Sequence, residues 1–151
     1  MYLIGQGNDT HNLEKQDSII KLGGYRFQSK YKVIAHSDGD VVLHSISNAI
    51  LGAIQLGDIG EYFSDKDIKN KNVDSRKIVD FTLRFLKKKH LKIINIDLTI
   101  TCENILLMKI KKEIVKSLQN ILKTKLINVK ATRFEKPCNQ IRCDSIVLLG
   151  K

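Results

Sequence analysis

A helical pattern of hydrophobic positions runs from Val41 to Leu56. Val42, Ile46, Ala49, Ile50 and Ala53 recur on one face, and Leu43 and Leu51 add apolar surface opposite. A helix apolar on most sides belongs between two layers or at a subunit contact. Ser37, Asp38 and Asp40 stand ready before it as N-cap candidates. Asp74 and Ser75 can cap a second helix to about Lys88, and Ile105 to Leu122 carries a third, with Ile110, Ile114 and Leu118 on one stripe. Strand patterns flank these helices. Tyr2 to Ile4 is a short run ending at Gly5 and Gly7. Ser18 to Leu22 and Tyr25 to Phe27 flank Gly23-Gly24 and read as a hairpin. Tyr31 to Ala35, Leu91 to Thr101, Ile127 to Thr132 and Ile141 to Leu149 complete the set, and Gly57 to Asn72 reads as a polar loop. With no repeat and no linker in the pattern, one α+β domain over residues 1–151 is expected.

Composition narrows the function classes. Hydrophobic residues make up 42% of the chain, enough for a core in a domain of this length. No apolar run is long enough to cross a bilayer. Met1 to His11 lacks the basic region and apolar stretch of a secretory signal, so a cytoplasmic protein is expected, or an organelle-matrix one after removal of a targeting segment. Three cysteines with no CxxC pair read as reduced thiols. The formal charge of +10 raises nucleic acid as a partner. The lysines are scattered, however, and lack the interleaved aromatics of a stacking platform. With many isoleucines and asparagines beside them, they fit the coding bias of an AT-rich genome.

The chemistry concentrates in AHSDGDVVLH, Ala35 to His44. Upstream, Asp9 and His11 sit at i and i+2, where side chains of an extended chain point the same way. A carboxylate and an imidazole side by side suit zinc or another divalent metal. His44 can supply a third ligand, leaving a fourth position open, the pattern of catalytic sites. Alone, each piece also reads blandly: a DxH is commonly a solvated turn, and a histidine near a helix start is commonly packed. Asp58 in Asp58-Ile59-Gly60 can close a helix end, or accept hydrogen bonds from two sugar hydroxyls. Thr132 and Glu135 can be ordinary polar residues at a strand end. They can also contact phosphate and hold Mg²⁺ or Mn²⁺, which favour oxygen ligands.

Taken together, GxGxDxH, AHSDGDxxLH, LGDIG and VKAT followed by Glu135-Lys136 resemble the 2-C-methyl-D-erythritol 2,4-cyclodiphosphate synthase family over essentially the whole chain. The resemblance implies a small mixed sheet covered by helices, assembled as a homotrimer with active sites between subunits. It implies a small-molecule substrate, 4-diphosphocytidyl-2-C-methyl-D-erythritol 2-phosphate. Its 2-phosphate attacks the β-phosphorus and CMP leaves, a phosphorus–oxygen lyase reaction of the non-mevalonate isoprenoid pathway. Asp9, His11 and His44 match the zinc ligands. His36 and Ser37 match phosphate contacts, with His36 stabilising the transition state. Asp58, Ile59 and Gly60 match the segment binding the methylerythritol hydroxyls, and Phe63, Asp65 and Asp67 the loop closing over it. Thr132 and Glu135 match phosphate and Mg²⁺ contacts near the nucleotide.

The departures from the family pattern cluster in the nucleotide half. A usual Pro-Lys-Met stretch reads Cys102-Glu-Asn-Ile-Leu-Leu-Met108, and a usual TTTE reads Thr132-Arg-Phe-Glu135. Arg133 can pair with phosphate as a cation. A glycine-rich loop after Lys136, which helps line a central cavity for isoprenoid diphosphates, is shortened. Asn48 stands where an aspartate near His44 is usual. A non-catalytic or altered-substrate zinc-binding trimer of the same fold is therefore the alternative reading.

Overall fold

A computed structural model describes residues 1–151. Seven strands and four helices follow in the order β1 (Tyr2–Glu14), β2 (Ser18–Leu22), β3 (Tyr25–Ser29), β4 (Lys32–Ile34), α1 (Val41–Ala53), α2 (Ile59–Tyr62), α3 (Ser75–Lys88), β5 (Lys92–Cys102), α4 (Leu107–Leu122), β6 (Ile127–Thr132) and β7 (Gln140–Gly150). A 3-10 turn, Ile68–Asn70, lies between α2 and α3. Five strands form a mixed sheet in the order β4-β1-β7-β5-β6, with only the β5–β6 pair parallel. β2 and β3 form a separate hairpin. None of the helices is long and apolar enough to cross a membrane.

The first strand departs from the sequence expectation. It does not stop at Gly5 and Gly7 but continues to Glu14, paired with β7 from Tyr2–Gly150 to Asn12–Gln140. The glycines are there for the helix above them. A Cβ on Gly5 would lie 1.9 Å from the Ala49 carbonyl oxygen, and one on Gly7 would lie 2.1 Å from that of Ser45. Bare backbone at these positions lets α1 settle directly onto β1. The Ser45 hydroxyl then donates to the Gly7 carbonyl at 3.1 Å and lies 2.7 Å from the Ser145 hydroxyl. α1 is covered on its other side by α3, so Leu43 and Leu51, away from the main apolar stripe, are buried as well.

Other boundaries shift for local reasons. α1 ends at Ala53 rather than Leu56, because Gln55 and Gly57 adopt left-handed backbone with φ of 60° and 67°. The Gly57 to Asn72 loop holds two short helical turns, started by Asp58 and Asp67. The Gly23-Gly24 turn has φ of 60° and 78°, both positive, as a two-residue hairpin requires. It is pinned from both sides. Asp40 accepts its two N–H groups at 2.9 and 2.8 Å, and the Ser117 hydroxyl donates to the Gly23 carbonyl at 2.7 Å.

The sheet has two unlike faces. Along β1 the odd positions face the helices, and the core cluster of 29 residues lies there. The even positions lie bare. On that bare face Tyr2 is 73% exposed, Ile4 70% and Ile146 47%.

Candidate active site

Two elements bring the three metal-type ligands together. β1 carries Asp9 and His11 on its helix-facing side, and α1, seated by the glycines, carries His44 in its first turn. The start of α1 is fixed by Asp40, whose buried carboxylate accepts from Val42 and Leu43 N–H at 3.1 and 3.0 Å. His44 Nδ1 lies 3.1 Å from Asp9 Oδ2, and His11 Nε2 lies 3.0 Å from the same oxygen. The three ligand atoms all fall within 4.8 Å of one another.

The electrostatics of this trio favour a cation. Burial pushes the Asp9 carboxyl up, but the two imidazoles outweigh it and hold it at about 2. Burial pulls His44 down, yet the Asp9 carboxylate and the charges of Asp40 and Asp38 raise it above its ordinary value. His11 Nε2 is buried and has no well-directed hydrogen bond, despite its closeness to Asp9. A buried nitrogen with no partner is expensive unless something else occupies its lone pair. A carboxylate and two imidazoles converging with one orphaned nitrogen fit a divalent metal such as zinc.

These residues open into a cleft of about 590 Å³. His36, Ser37, Asp58, Ile59, Gly60, Phe63 and Asp65 line the same cleft, as expected. Asp67 does not. It lies outside the lining and uses its carboxylate to start the 3-10 turn, accepting from Lys69 N–H at 3.0 Å. Asp58 likewise accepts from Gly60 and Glu61 N–H, at 2.8 and 3.3 Å. Asp58 therefore starts α2 rather than closing α1, and it lines the cleft from that position. The Phe63 segment is anchored on α3 by an edge-on contact between Phe63 and Phe81, 5.2 Å between ring centres.

Sequence reasoning missed several contributors. Lys66 and Asn70 line the cleft and place a cation and an amide beside His36 and Ser37. Asn48 makes no hydrogen bond to His44; its amide is used elsewhere. It bridges β1 to the Asp58 segment, donating to the Asn8 carbonyl at 3.3 Å and accepting from Ile59 N–H at 2.9 Å. Ser75 Oγ lies 2.8 Å from His44 Nε2, and its hydroxyl is hydrogen-bonded to Asp38. Asp38 therefore does not cap α1, as was expected. It accepts from the start of α3, with Ser75 N–H at 3.1 Å. These contacts join residues 31 and 37 positions apart, so no local spacing announces them.

Thr132 and Arg133 are elsewhere. They line a hollow of about 140 Å³ with Cys102, Ile105, Leu106, Leu107, Met108 and Ala131. Glu135 is exposed and lines neither space. Strand register explains the separation. Thr10, Arg142, Thr101 and Thr132 form one row across β1, β7, β5 and β6. Three strand spacings make about 14 Å. The row also faces away from Asp9, whose own row runs through the buried Cys143 and Ile100.

Comparison with known proteins agrees with this arrangement. The sequence profile of the YgbB family matches residues 2–149. A 2-C-methyl-D-erythritol 2,4-cyclodiphosphate synthase of Mycoplasmoides gallisepticum is 44% identical over 148 residues, covering 97% of this chain and 96% of the relative. One from Leptospira interrogans is 45% identical over 139 residues, covering 90% and 86%. Among solved structures, a synthase of that name in a CDP-bound form superposes with a TM-score of 0.90 at 29% identity, covering 97% of this chain and 99% of that one. The Plasmodium falciparum protein in complex with CDP gives 0.84 at 30% identity, covering 98% and 95%.

Proposed function

The chain belongs to the YgbB family, and from that premise we propose that it cyclises 4-diphosphocytidyl-2-C-methyl-D-erythritol 2-phosphate with release of CMP. The observation that carries this reading is the shared cleft: the Asp9–His11–His44 trio and the Asp58 segment line one space, with His36 and Ser37 beside them. Nucleophile and electrophile lie in one molecule. An oxygen of the 2-phosphate forms the new bond to the β-phosphorus. The bond from the β-phosphorus to the bridging oxygen breaks, and CMP keeps the electron pair. No enzyme nucleophile is required, only folding of the substrate for in-line attack and neutralisation of phosphate charge.

Each residue then has a task. Asp58 accepts hydrogen bonds from the polyol hydroxyls, while the Ile59 and Gly60 backbone and Phe63 with Asp65 wall them in. His36 and Ser37 donate to phosphate oxygens, and Lys66 adds positive charge at the same wall. Asp9, His11 and His44 hold a divalent metal, zinc by the donor set, which when bound polarises a phosphate oxygen as a Lewis acid. Thr132, Arg133 and Glu135 receive the nucleotide end, with Mg²⁺ or Mn²⁺ held at Glu135.

The second group cannot reach the first within one chain, since it lies about three strands away on the opposite face. The bare apolar surface of Tyr2, Ile4 and Ile146 supplies the reason for a neighbour. The working form is a homotrimer of single 1–151 domains, each cleft completed by the nucleotide half of an adjacent copy, in the cytoplasm. The small, apolar character of the Leu106–Met108 hollow favours the second reading, a metal-binding trimer with another phosphorylated ligand or no reaction. Phosphorus NMR on purified protein with substrate, Zn²⁺ and Mg²⁺ separates the two. Equal appearance of CMP and cyclic diphosphate supports the synthase. Metal-loaded protein that leaves the substrate intact overturns it.

A further inference from the structure

The closest hydrogen bonds around His44 assign the proton of its ring. Nδ1 faces Asp9 and the open cleft. Nε2 faces inward to the Ser75 hydroxyl at 2.8 Å, in a buried contact at the start of α3, with the Ser37 hydroxyl more distant at 3.5 Å. A serine hydroxyl has one hydrogen to give. That of Ser75 is directed to Asp38 Oδ1, whose carboxylate also accepts from Ser75 N–H at 3.1 Å and Lys21 Nζ at 3.1 Å. An ionised carboxylate with those donors around it cannot act as a donor itself. The Ser75 oxygen is therefore left as an acceptor toward His44, and Nε2 must carry the proton.

On this basis, and resting on the metal reading above, we propose that Ser75 and Asp38 are positioning residues. They fix His44 as the Nε2–H tautomer, so that the Nδ1 lone pair is presented to the cation. The chain of contacts runs Lys21, Asp38, Ser75, His44, and it draws its members from β2, the segment before α1, α3 and α1. It explains why the N-terminus of α3, outside the cleft wall made by β1 and α1, is held so closely to the ligand. Outer hydrogen bonds of this kind set ring orientation and ligand basicity.

Two variants probe it differently. Ser75→Ala removes the acceptor at Nε2 and leaves a smaller side chain, so the fold is retained. Asp38→Asn can donate its amide to the Ser75 oxygen, which turns the serine hydroxyl toward Nε2 and favours the wrong tautomer. Zn²⁺ affinity is measured by competition with a chromophoric chelator, beside far-UV circular dichroism. His44 in the zinc-loaded protein is read by nitrogen–proton correlation of the imidazole ring. The expected result is a proton on Nε2 in the parent, with affinity about ten- to a hundredfold lower in both variants. Parent affinity in both folded variants, or a proton on Nδ1 in the zinc-loaded parent, overturns the proposal. Failure of the metal reading looks different: parent and His44→Ala would bind zinc equally poorly, and the proposal would fall with its premise.

Discussion

The two halves of the site differ in how they are held. The metal and polyol half is a cleft of about 590 Å³ whose key side chains are tied by hydrogen bonds to three elements. The half proposed for the nucleotide is a hollow of about 140 Å³, walled by Leu106, Met108 and aliphatic neighbours, with Arg133 as its cation. The first is built to a fixed geometry by one chain. The second is an open ledge at the sheet edge, shaped for something brought to it. Preorganisation is thus concentrated where charge must be neutralised during bond formation. On the proposed reading the nucleotide end is left to a less constrained surface, and the departures from the family pattern fall there.

The sharpest break of this contrast is His44→Ala. It should lower kcat at least about a thousandfold and abolish zinc binding, because charge stabilisation worth several kcal/mol goes with the metal. Phosphorus NMR and metal analysis of the dialysed protein read both effects. Gly7→Ala comes next. Its new Cβ meets the Ser45 carbonyl oxygen at 2.1 Å, so α1 must lift from β1. A loss of about 3 kcal/mol in urea unfolding is expected, with weaker zinc binding as His44 retreats from Asp9.

The pH dependence of zinc affinity should be smaller and of definite sign. Asp9 is held at about 2 and is ionised throughout the working range. His44 keeps its proton to above its ordinary 6.5 in the metal-free site, mainly through Asp9 once burial is outweighed. The metal must displace that proton, so affinity falls about tenfold per unit as pH drops below the raised value and levels off above it. Chelator competition between pH 5 and 8 checks the slope. Arg133→Ala should do least. A rise in KM of roughly threefold to tenfold is expected for loss of one exposed phosphate contact, with zinc affinity unchanged because the two halves are separate.

Much of this was legible in the sequence. The all-round apolar pattern of α1 implies a place between layers or at a subunit contact, and the structure puts it between the sheet and α3; the i, i+2 spacing of Asp9 and His11 holds because β1 is extended there. The glycines misled the strand boundary because glycine usually weakens a strand. Their reason, the carbonyls of Ala49 and Ser45 overhead, exists only after α1 docks. Ser75 and Asp38 were read as caps, since local spacing gives caps and long-range contacts give partners. The separation of Thr132 from Asp9 needed strand order and register, which periodicity within one strand does not contain.

The proposed working site joins the metal half of one chain to the nucleotide half of another. Co-assembly of His44→Ala with Glu135→Ala, each inactive alone, tests it directly. Random mixing of equal amounts leaves about a quarter of inter-subunit sites intact in a closed symmetric oligomer, so CMP release should return to about a quarter of the parental rate. Mixed oligomers, verified by native mass spectrometry, that release no CMP would place both halves in one chain and contradict the claim.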